Sequence, residues 1–213
     1  MTDQDTIGDM HWVVVEGIYL PKRVGGHPAL DFCNTYAGWR ERSNPRGEWL
    51  RSYEVVARFA GYVELLEETD VRRLCRAALR DPEGAAAVLV ATRRFRTRVH
   101  SAVGEPSDAR LLGPVTRLAQ RAAGEARLRP GPDGAARWEI PRSTGLEMPL
   151  LVLALSAAEM LTSPEVRLVK SCPGSECGWM FIDSRGRRRW CSMSACGNRA
   201  KVRAFSERQR ART

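Results

Sequence analysis

The chain has 213 residues, of which 43% are hydrophobic, and its formal net charge at pH 7 is +9. This length is sufficient for one domain with a substantial core and a small appendage. The first five residues lack the basic-then-apolar pattern of a secretion signal, and the longest apolar run, Met148 to Leu161, is too short and too polar to span a bilayer. We therefore expect a cytoplasmic protein with no membrane contact and with reduced cysteines.

The positive charge is concentrated near the C-terminus. Between Asp183 and Thr213 the sequence has ten basic and two acidic residues, a net charge of +8, so the rest of the chain is close to neutral. A local excess of this kind is typical of a module that binds phosphate groups, and it indicates an anionic partner.

Two short patterns occupy the N-terminal part. Trp12 to Leu20 is rich in β-branched and aromatic residues and predicts a strand, and Pro28 to Tyr36 predicts a helical turn with polar residues on its outer side. Those polar residues are Asp31, Asn34 and Thr35. Two interpretations of them remain open: they satisfy nearby backbone groups at a turn, or they line a small-molecule pocket of a sensor domain.

Three helices are predicted in the middle of the chain. The first begins after Ser52, the second at Asp70, and the third at Asp81-Pro82, where a capping residue precedes a proline at the first helical position. The second helix is expected to bury Leu79 with its other apolar residues. The third helix carries arginines on its outer face, which are either solvated or in contact with nucleic acid. These arginines are Arg93, Arg94, Arg96 and Arg98.

The next segments combine a helix, a hairpin and a second helix. The first of these helices is expected to break or restart at Pro114. The segments 125–130 and 135–141 predict a β-hairpin, with Trp138 anchoring its packed face. Met148 to Leu161 is apolar almost all round and predicts a buried central helix that forms the floor under the C-terminal module.

Four cysteines form two equal pairs. Four residues separate Cys172 from Cys177 and Cys191 from Cys196, and thirteen residues join the two pairs. A Zn²⁺ ion needs four thiolates at about 2.3 Å, which are usually delivered as two local pairs. Disulfides need an oxidising compartment, and many iron–sulfur sites show a tighter Cys-x-x-Cys spacing. The spacing therefore favours a structural zinc site, in which four cysteines leave no coordination position for water or substrate.

Aromatic residues accompany these cysteines. Trp179, Phe181 and Trp190 either pack around the metal site or supply one ring that stacks on a base. After Cys196 the pattern becomes helical, with Val202 and Phe205 on one side.

Basic residues in the loop and in this helix suit nucleic acid. The residues expected to contact it are Arg185, Arg187, Arg188, Arg189, Asn198, Arg199, Lys201, Arg203 and Arg208. The loop arginines suit phosphates, whereas Asn198 suits the edge of adenine and Arg199 that of guanine. Asn198 alternatively caps the metal loop or the start of the helix.

These motifs carry a family resemblance. The run from Cys172 to Lys201, with Cys-Gly-Asn-Arg at 196–199, resembles the CGNR zinc finger family, which is named for that tetrad. Upstream, the residues Pro-Ala-Leu-Asp-Phe-Cys-Asn-Thr at 28–35 resemble the opening signature of the ABATE domain, which accompanies this finger in bacterial proteins. The resemblance covers nearly the whole chain and implies a stress-induced transcriptional regulator whose finger binds DNA. The basic loop 183–189 is a residue or two shorter than the family pattern.

The sequence thus predicts a mainly α fold with small β-hairpin elements. A multihelical N-terminal domain, 1–165, would precede a small Cys₄ zinc module, 166–213, that ends in a helix. We expect a DNA-binding transcriptional regulator whose N-terminal domain receives a small-molecule effector or a protein partner. The alternatives are an RNA-binding module and a zinc-stabilised protein-interaction module. An enzyme is not expected, because no Ser–His–Asp pattern, phosphate loop or open metal site is visible.

Overall fold

The computed structural model describes residues 11–40, 47–131, 134–174 and 177–210. Within these ranges the chain has seven α-helices and three antiparallel two-stranded hairpins, so the predicted mainly α fold class is confirmed. The helices are α1 (Pro28–Cys33), α2 (Tyr53–Tyr62), α3 (Glu68–Arg80), α4 (Pro82–Gly104), α5 (Ala109–Glu125), α6 (Met148–Thr162) and α7 (Asn198–Arg210). The strands are β1 (Trp12–Val15), β2 (Ile18–Pro21), β3 (Arg127–Pro130), β4 (Ala136–Glu139), β5 (Val169–Ser171) and β6 (Met180–Ile182).

The first predicted strand is a hairpin. Strands β1 and β2 pair in antiparallel register across a turn at Glu16 and Gly17, whose φ angles are 47° and 79°. Two consecutive positive φ angles are the mark of the tight turns whose twist matches that of the flanking strands. The prediction of one continuous strand from Trp12 to Leu20 is therefore wrong at these two residues.

Capping side chains fix the starts of α2 and α4 where the sequence predicts them. The Ser52 hydroxyl accepts a hydrogen bond from the Val55 N–H, and the Asp81 carboxylate accepts one from Gly84, with Pro82 at the first position of α4. Each bond satisfies an amide that would otherwise lack a partner in the first helical turn.

Two predictions about burial on α3 and α4 are wrong. Leu79 lies at the edge of the apolar stripe of α3 and is 84% exposed. Arg96 is only 3% exposed, because its guanidinium turns inward to form two hydrogen bonds with the Glu48 carboxylate and two with Thr35. Only Arg94 and Arg98 of the predicted outer arginine cluster are exposed.

Helix α5 and the hairpin that follows it also differ from expectation. Pro114 lies within a continuous α5 as its sixth residue, where its missing N–H removes one helical hydrogen bond without ending the helix. Strands β3 and β4 pair as predicted, with Leu128 opposite Trp138, but every residue of the two strands is exposed. Trp138 is 62% exposed and does not anchor a packed face.

Helix α6 is the centre of the core, as predicted. It packs against α1, α2, α4 and α5, and ten of its residues are buried. The stretch Arg142–Thr162 has the length and apolar composition of a membrane span, but the ten buried residues of α6 lie within it and pack inside the protein. The main supports of the C-terminal strands are α1 and α4, which corrects the prediction that α6 is the floor beneath that module.

Candidate metal centre

The four paired cysteines converge on one point. Their Sγ atoms all lie within 4.8 Å of one another, and Cys191 Sγ is 3.6 Å from the sulfurs of both Cys177 and Cys196. A tetrahedron with metal–sulfur bonds of about 2.3 Å has sulfur–sulfur edges of about 3.8 Å. All four cysteines are buried and free of disulfides. The arrangement therefore fits one tetrahedral metal ion with four thiolate ligands.

The first cysteine pair sits on a turn that is crowded around Gly174. A Cβ atom at Gly174 would lie 3.2 Å from both Cys177 Cβ and Cys196 Sγ. The backbone closes around this residue, with Cys177 N–H donating to Gly174 O at 3.0 Å and Cys172 N–H donating to Trp179 O at 2.8 Å. Gly174 thus allows the two halves of the site to approach each other.

The second pair sits on a wide turn, Met193–Gly197, that leads directly into α7. A Cβ atom at Gly197 would lie 2.7 Å from Met193 Sδ, so the exposed Met193 side chain would have to move to admit it. The Asn198 amide donates to Ser194 O at 3.2 Å while its side chain stays exposed. This contact matches the expectation that Asn198 caps the metal loop.

Proximity perturbs the pKa values of the four thiols. Hydrogen bonds from Cys177 and Cys191 lower the pKa of Cys172 to about 6, and hydrogen bonds from the other three thiols lower the pKa of Cys196. The same sharing of protons raises the pKa of Cys177 and Cys191. Because a metal ion binds the deprotonated thiols, it would displace the shared protons.

The metal module is attached to the helical domain through backbone groups of its first turn. Cys177 O accepts hydrogen bonds from the amides of Gly38 and Trp39 at 3.2 and 3.3 Å. Gly178 has φ +73°, and a Cβ there would lie 2.7 Å from Trp39 Cβ. The module therefore lies in direct contact with the segment that follows α1.

Aromatic side chains fill this junction. Trp179 and Phe181 are fully buried beside the four cysteines, and the Trp179 indole donates to Tyr36 O at 2.9 Å. Trp190 is half-buried at the edge of the same cluster. The packing interpretation therefore describes Trp179 and Phe181, whereas Trp190 is partly exposed and has the Arg189 guanidinium 5.2 Å from its ring centre.

The predicted pocket residues are inside this junction as well. The Asn34 amide donates to Met180 O at 2.9 Å and accepts from Met180 N–H at 2.7 Å. Asp31 accepts from Gly25 N–H at 2.8 Å, and Thr35 donates to Phe32 O at 2.7 Å. Burial raises the pKa of Asp31 to about 6.

All three side chains are buried and bonded to protein groups. This corrects the expectation that Asp31, Asn34 and Thr35 line a ligand pocket. The local hydrogen-bond interpretation fits Asp31 and Thr35. Asn34, by contrast, joins the two parts of the chain.

Comparison with protein families agrees with these two motifs. The ABATE family, described as "Putative stress-induced transcription regulator", matches residues 26–164. The chain belongs to the ABATE family. The CGNR zinc finger family matches residues 168–209, which include all four cysteines, so both resemblances are confirmed. No curated protein matches the chain.

The basic residues of the CGNR module that are expected to contact nucleic acid lie on the loop 183–189 and on helix α7. Arg185, Arg187 and Arg189 are exposed on the loop, where Asp183 accepts hydrogen bonds from Arg187 N–H and from the Lys170 ammonium. A cleft of about 400 Å³ lies between this loop and Lys170.

Arg188 points the other way. Its guanidinium donates to the carbonyl oxygens of Val24, Trp190 and Cys191 and lies 4.2 Å from the centre of the Phe181 ring. These contacts give Arg188 a structural place in the module and correct its expected role as a phosphate contact.

Helix α7 has two different faces. Its inner face, which includes Arg199 and Arg203, borders a cleft of about 240 Å³ next to Cys196 and Trp190. The outer face is exposed and is made of Asn198, Lys201, Val202, Phe205 and Arg208. Phe205 is 57% exposed. A basic helix with exposed apolar residues at its centre therefore projects from the metal centre.

Sequence reasoning missed two histidines at this site. His11 lies 3.9 Å from Cys196 Sγ, and His100 lies 3.2 Å from Gly178 O while stacking on Trp39. Both contacts join residues at least 78 positions apart, so no local spacing reveals them.

Proposed function

We propose that the protein is a DNA-binding transcriptional regulator in which a structural Zn²⁺ ion, bound by Cys172, Cys177, Cys191 and Cys196, organises the DNA-binding surface. The observation that carries the proposal is the placement of the basic loop, which ends two residues before Cys191, and of α7, which begins two residues after Cys196. Four buried thiolates suit zinc, and they leave no open coordination position, which supports a structural ion and a protein that is not an enzyme.

The outer face of α7 is the part that suits the major groove. A 13-residue helix, about 20 Å long, fits that groove, and Lys201 and Arg208 flank the apolar centre of the exposed face. At its N-terminal end Asn198 is exposed beside the metal loop and suits an adenine edge.

The loop suits the flanking phosphates. Arg185, Arg187 and Arg189 are exposed, and the bond between Lys170 and Asp183 holds the base of the loop. Arginines on a loop beside a groove-binding helix fix the register of a protein on the duplex without reading sequence.

The ABATE domain is proposed as the regulatory part of a cytoplasmic protein. It supports the finger through buried hydrogen bonds, so an effector or protein partner that shifts α1 or α4 would shift the finger with it. This rigid attachment favours a regulator over two independent modules.

The test is a salt titration of binding to duplex DNA. Replacing Arg187 and Arg189 with alanine is expected to weaken binding and to reduce the slope of log K against log salt by about 1.8, the value for two lost phosphate contacts. The matched control replaces Arg94 and Arg98, two exposed arginines of α4, and should leave the slope unchanged. Tighter binding to RNA at the same salt, or binding that does not respond to salt, would contradict the proposal.

A further inference from the structure

A guanidinium lies against one of the four sulfurs. Arg199 Nη2 is 3.2 Å from Cys196 Sγ, within the range of an N–H···S hydrogen bond. The same nitrogen is 3.3 Å from His11 Nε2, which is itself 3.9 Å from the sulfur. Residues from the two ends of the chain thus meet at one ligand of the metal centre.

His11 is held in place independently of α7. Its carbonyl oxygen accepts a hydrogen bond of 2.8 Å from Lys22 N–H at the end of the β1–β2 hairpin. Its ring lies edge-on against the buried Trp179, with the ring centroids 4.8 Å apart. The imidazole is therefore held in a fixed position, where it contacts the Arg199 guanidinium.

Arg199 reaches the sulfur because of its position in the sequence. It follows Cys196 by three residues in the first turn of α7, and helical side chains lean back over the preceding turn. The Cys-Gly-Asn-Arg tetrad therefore places a ligand and a cationic donor next to each other.

The charge of the centre explains the need for such a donor. Four thiolates around one divalent cation leave a net negative group, which is costly to bury without compensation. Arg188 supplies one positive charge on the side of Cys191, where its guanidinium donates to the Cys191 carbonyl and attracts the sulfur. Arg199 supplies another on the side of Cys196.

We infer that Arg199 is a positioning residue of the metal centre. Its charge-assisted N–H···S bond withdraws electron density from Cys196, and His11 holds the guanidinium in place, so that zinc is retained longer. This assignment replaces the expected contact between Arg199 and a guanine edge. It rests on the proposed metal and not on DNA binding.

The first experiment measures the rate at which the zinc-loaded full-length protein loses zinc to an excess of a coloured chelator. Arg199→Gln is expected to release zinc about tenfold faster, the lower end of the effect of partners that orient metal ligands. Arg208→Gln removes the same charge from the exposed face of the same helix and should release zinc at the wild-type rate. Equal rates for Arg199→Gln and the wild type would overturn the inference.

The second experiment reports on the sulfur itself. When Co²⁺ replaces zinc, the thiolate-to-cobalt charge-transfer band should move to lower energy in Arg199→Gln, because the sulfur becomes richer in electrons, and should not move in Arg208→Gln. A helix that is merely loosened would not shift the band in this direction. An unshifted band in Arg199→Gln would overturn the inference, whereas a wild type that takes up neither metal would also remove the proposed zinc site.

Two further variants keep the test decisive if Arg199→Gln does not fold. Arg199→Lys offers one point donor, which cannot contact both His11 and Cys196. It should therefore release zinc faster than the wild type and Arg208→Gln, but more slowly than a variant that has lost the donor completely. His11→Phe keeps the ring on Trp179 but removes the nitrogen, and it should release zinc severalfold faster. Wild-type rates in both variants would overturn the three-residue arrangement.

Discussion

The side-chain amide of Asn34 forms with Met180 the same pair of hydrogen bonds that a neighbouring β-strand would form. It donates to Met180 O and accepts from Met180 N–H, across 146 residues of sequence. Met180 lies on β6 of the finger, and its other strand neighbour is β5. The ABATE signature therefore completes the edge of the finger's small hairpin, and the two family motifs form one structural unit.

Replacing Asn34 should destabilise this unit strongly. Asn34→Ala would leave the buried N–H and C=O of Met180 without partners, and we expect a loss of about 2 to 4 kcal/mol in the free energy of unfolding. Urea denaturation measures this loss. Gln120→Ala, which removes an exposed amide from α5, should change stability by less than about 0.5 kcal/mol. Similar midpoints for the two variants would show that the contact with Met180 contributes little.

The role of Asn34 also shows where sequence reasoning reaches its limit. A short polar residue near a helix end is most often bonded to its own backbone, as Thr35 is here to Phe32. Nothing in the local pattern indicates that Asn34 bonds instead to a strand 146 residues away. The predicted burial of Leu79 and Trp138 is wrong for the same reason, because an apolar residue is buried only if another element covers it.

The metal ligands could be predicted because their chemistry is local. Each cysteine pair is held on one short turn, so the spacing of the two residues in the sequence is enough to predict that their sulfurs lie close together. Helix starts at Ser52 and Asp81 were equally predictable, because capping involves residues only three positions apart. Arg96 was not, because its partner Glu48 is 48 positions away.

Removing the metal should destabilise the helical domain as well as the finger. Met180 belongs to the same buried core as the residues of α6, so a loosened finger exposes part of that core. We compare protein with free Zn²⁺ at a hundred times its Kd with protein from which a chelator has removed the metal. The free energy of unfolding of the whole chain should be lower by about 3 kcal/mol after chelation. Hydrogen exchange should become faster in α1 and α4 as well as in the finger.

Cysteine variants provide the control for chelation. Cys191→Ser should reproduce the effect of the chelator, whereas Cys75→Ser, on α3 and outside the metal centre, should retain the metal. Unchanged exchange in α1 and α4 after metal removal would mean that the finger unfolds alone.

Arg96 and Glu48 should behave as a coupled pair. The Arg96 guanidinium is buried and forms two hydrogen bonds with the Glu48 carboxylate, at 2.7 and 2.6 Å. Arg96→Met removes these two bonds, although the carboxylate keeps Leu50 N–H at 2.9 Å and the Arg93 guanidinium at 3.6 Å. The variant should therefore cost about 3 kcal/mol, the lower end for a broken buried pair, and the double variant with Glu48→Met should recover part of the loss. Arg98→Met on the exposed side of α4 is the matched control. A double variant with the summed losses of both single variants would argue against coupling.

His100 should make stability depend on pH. Burial lowers the pKa of His100 from 6.5 to about 4, and its Nε2 lies 3.2 Å from Gly178 O. Because the pKa is lower in the folded protein, folding favours the neutral ring. The stabilisation is complete above pH 6.5 and is lost as the pH falls towards 4. Its full size is about 3 to 4 kcal/mol, from roughly 1.4 kcal/mol per unit of pKa difference.

His100→Phe isolates this contribution. The variant keeps an aromatic ring on Trp39, where the wild-type rings lie 3.8 Å apart, but it has no group that titrates. Acidification also protonates the metal-binding cysteines, and it stabilises the fold through Asp31, whose pKa is raised in the folded protein, but both effects are common to the two proteins. Both free energies of unfolding are measured by urea denaturation from pH 4.5 to 7.5. The wild-type value minus the His100→Phe value should decrease as the pH falls, because only the wild type loses the contribution of His100. A difference that stays constant over this range would mean that His100 is not held neutral by the fold.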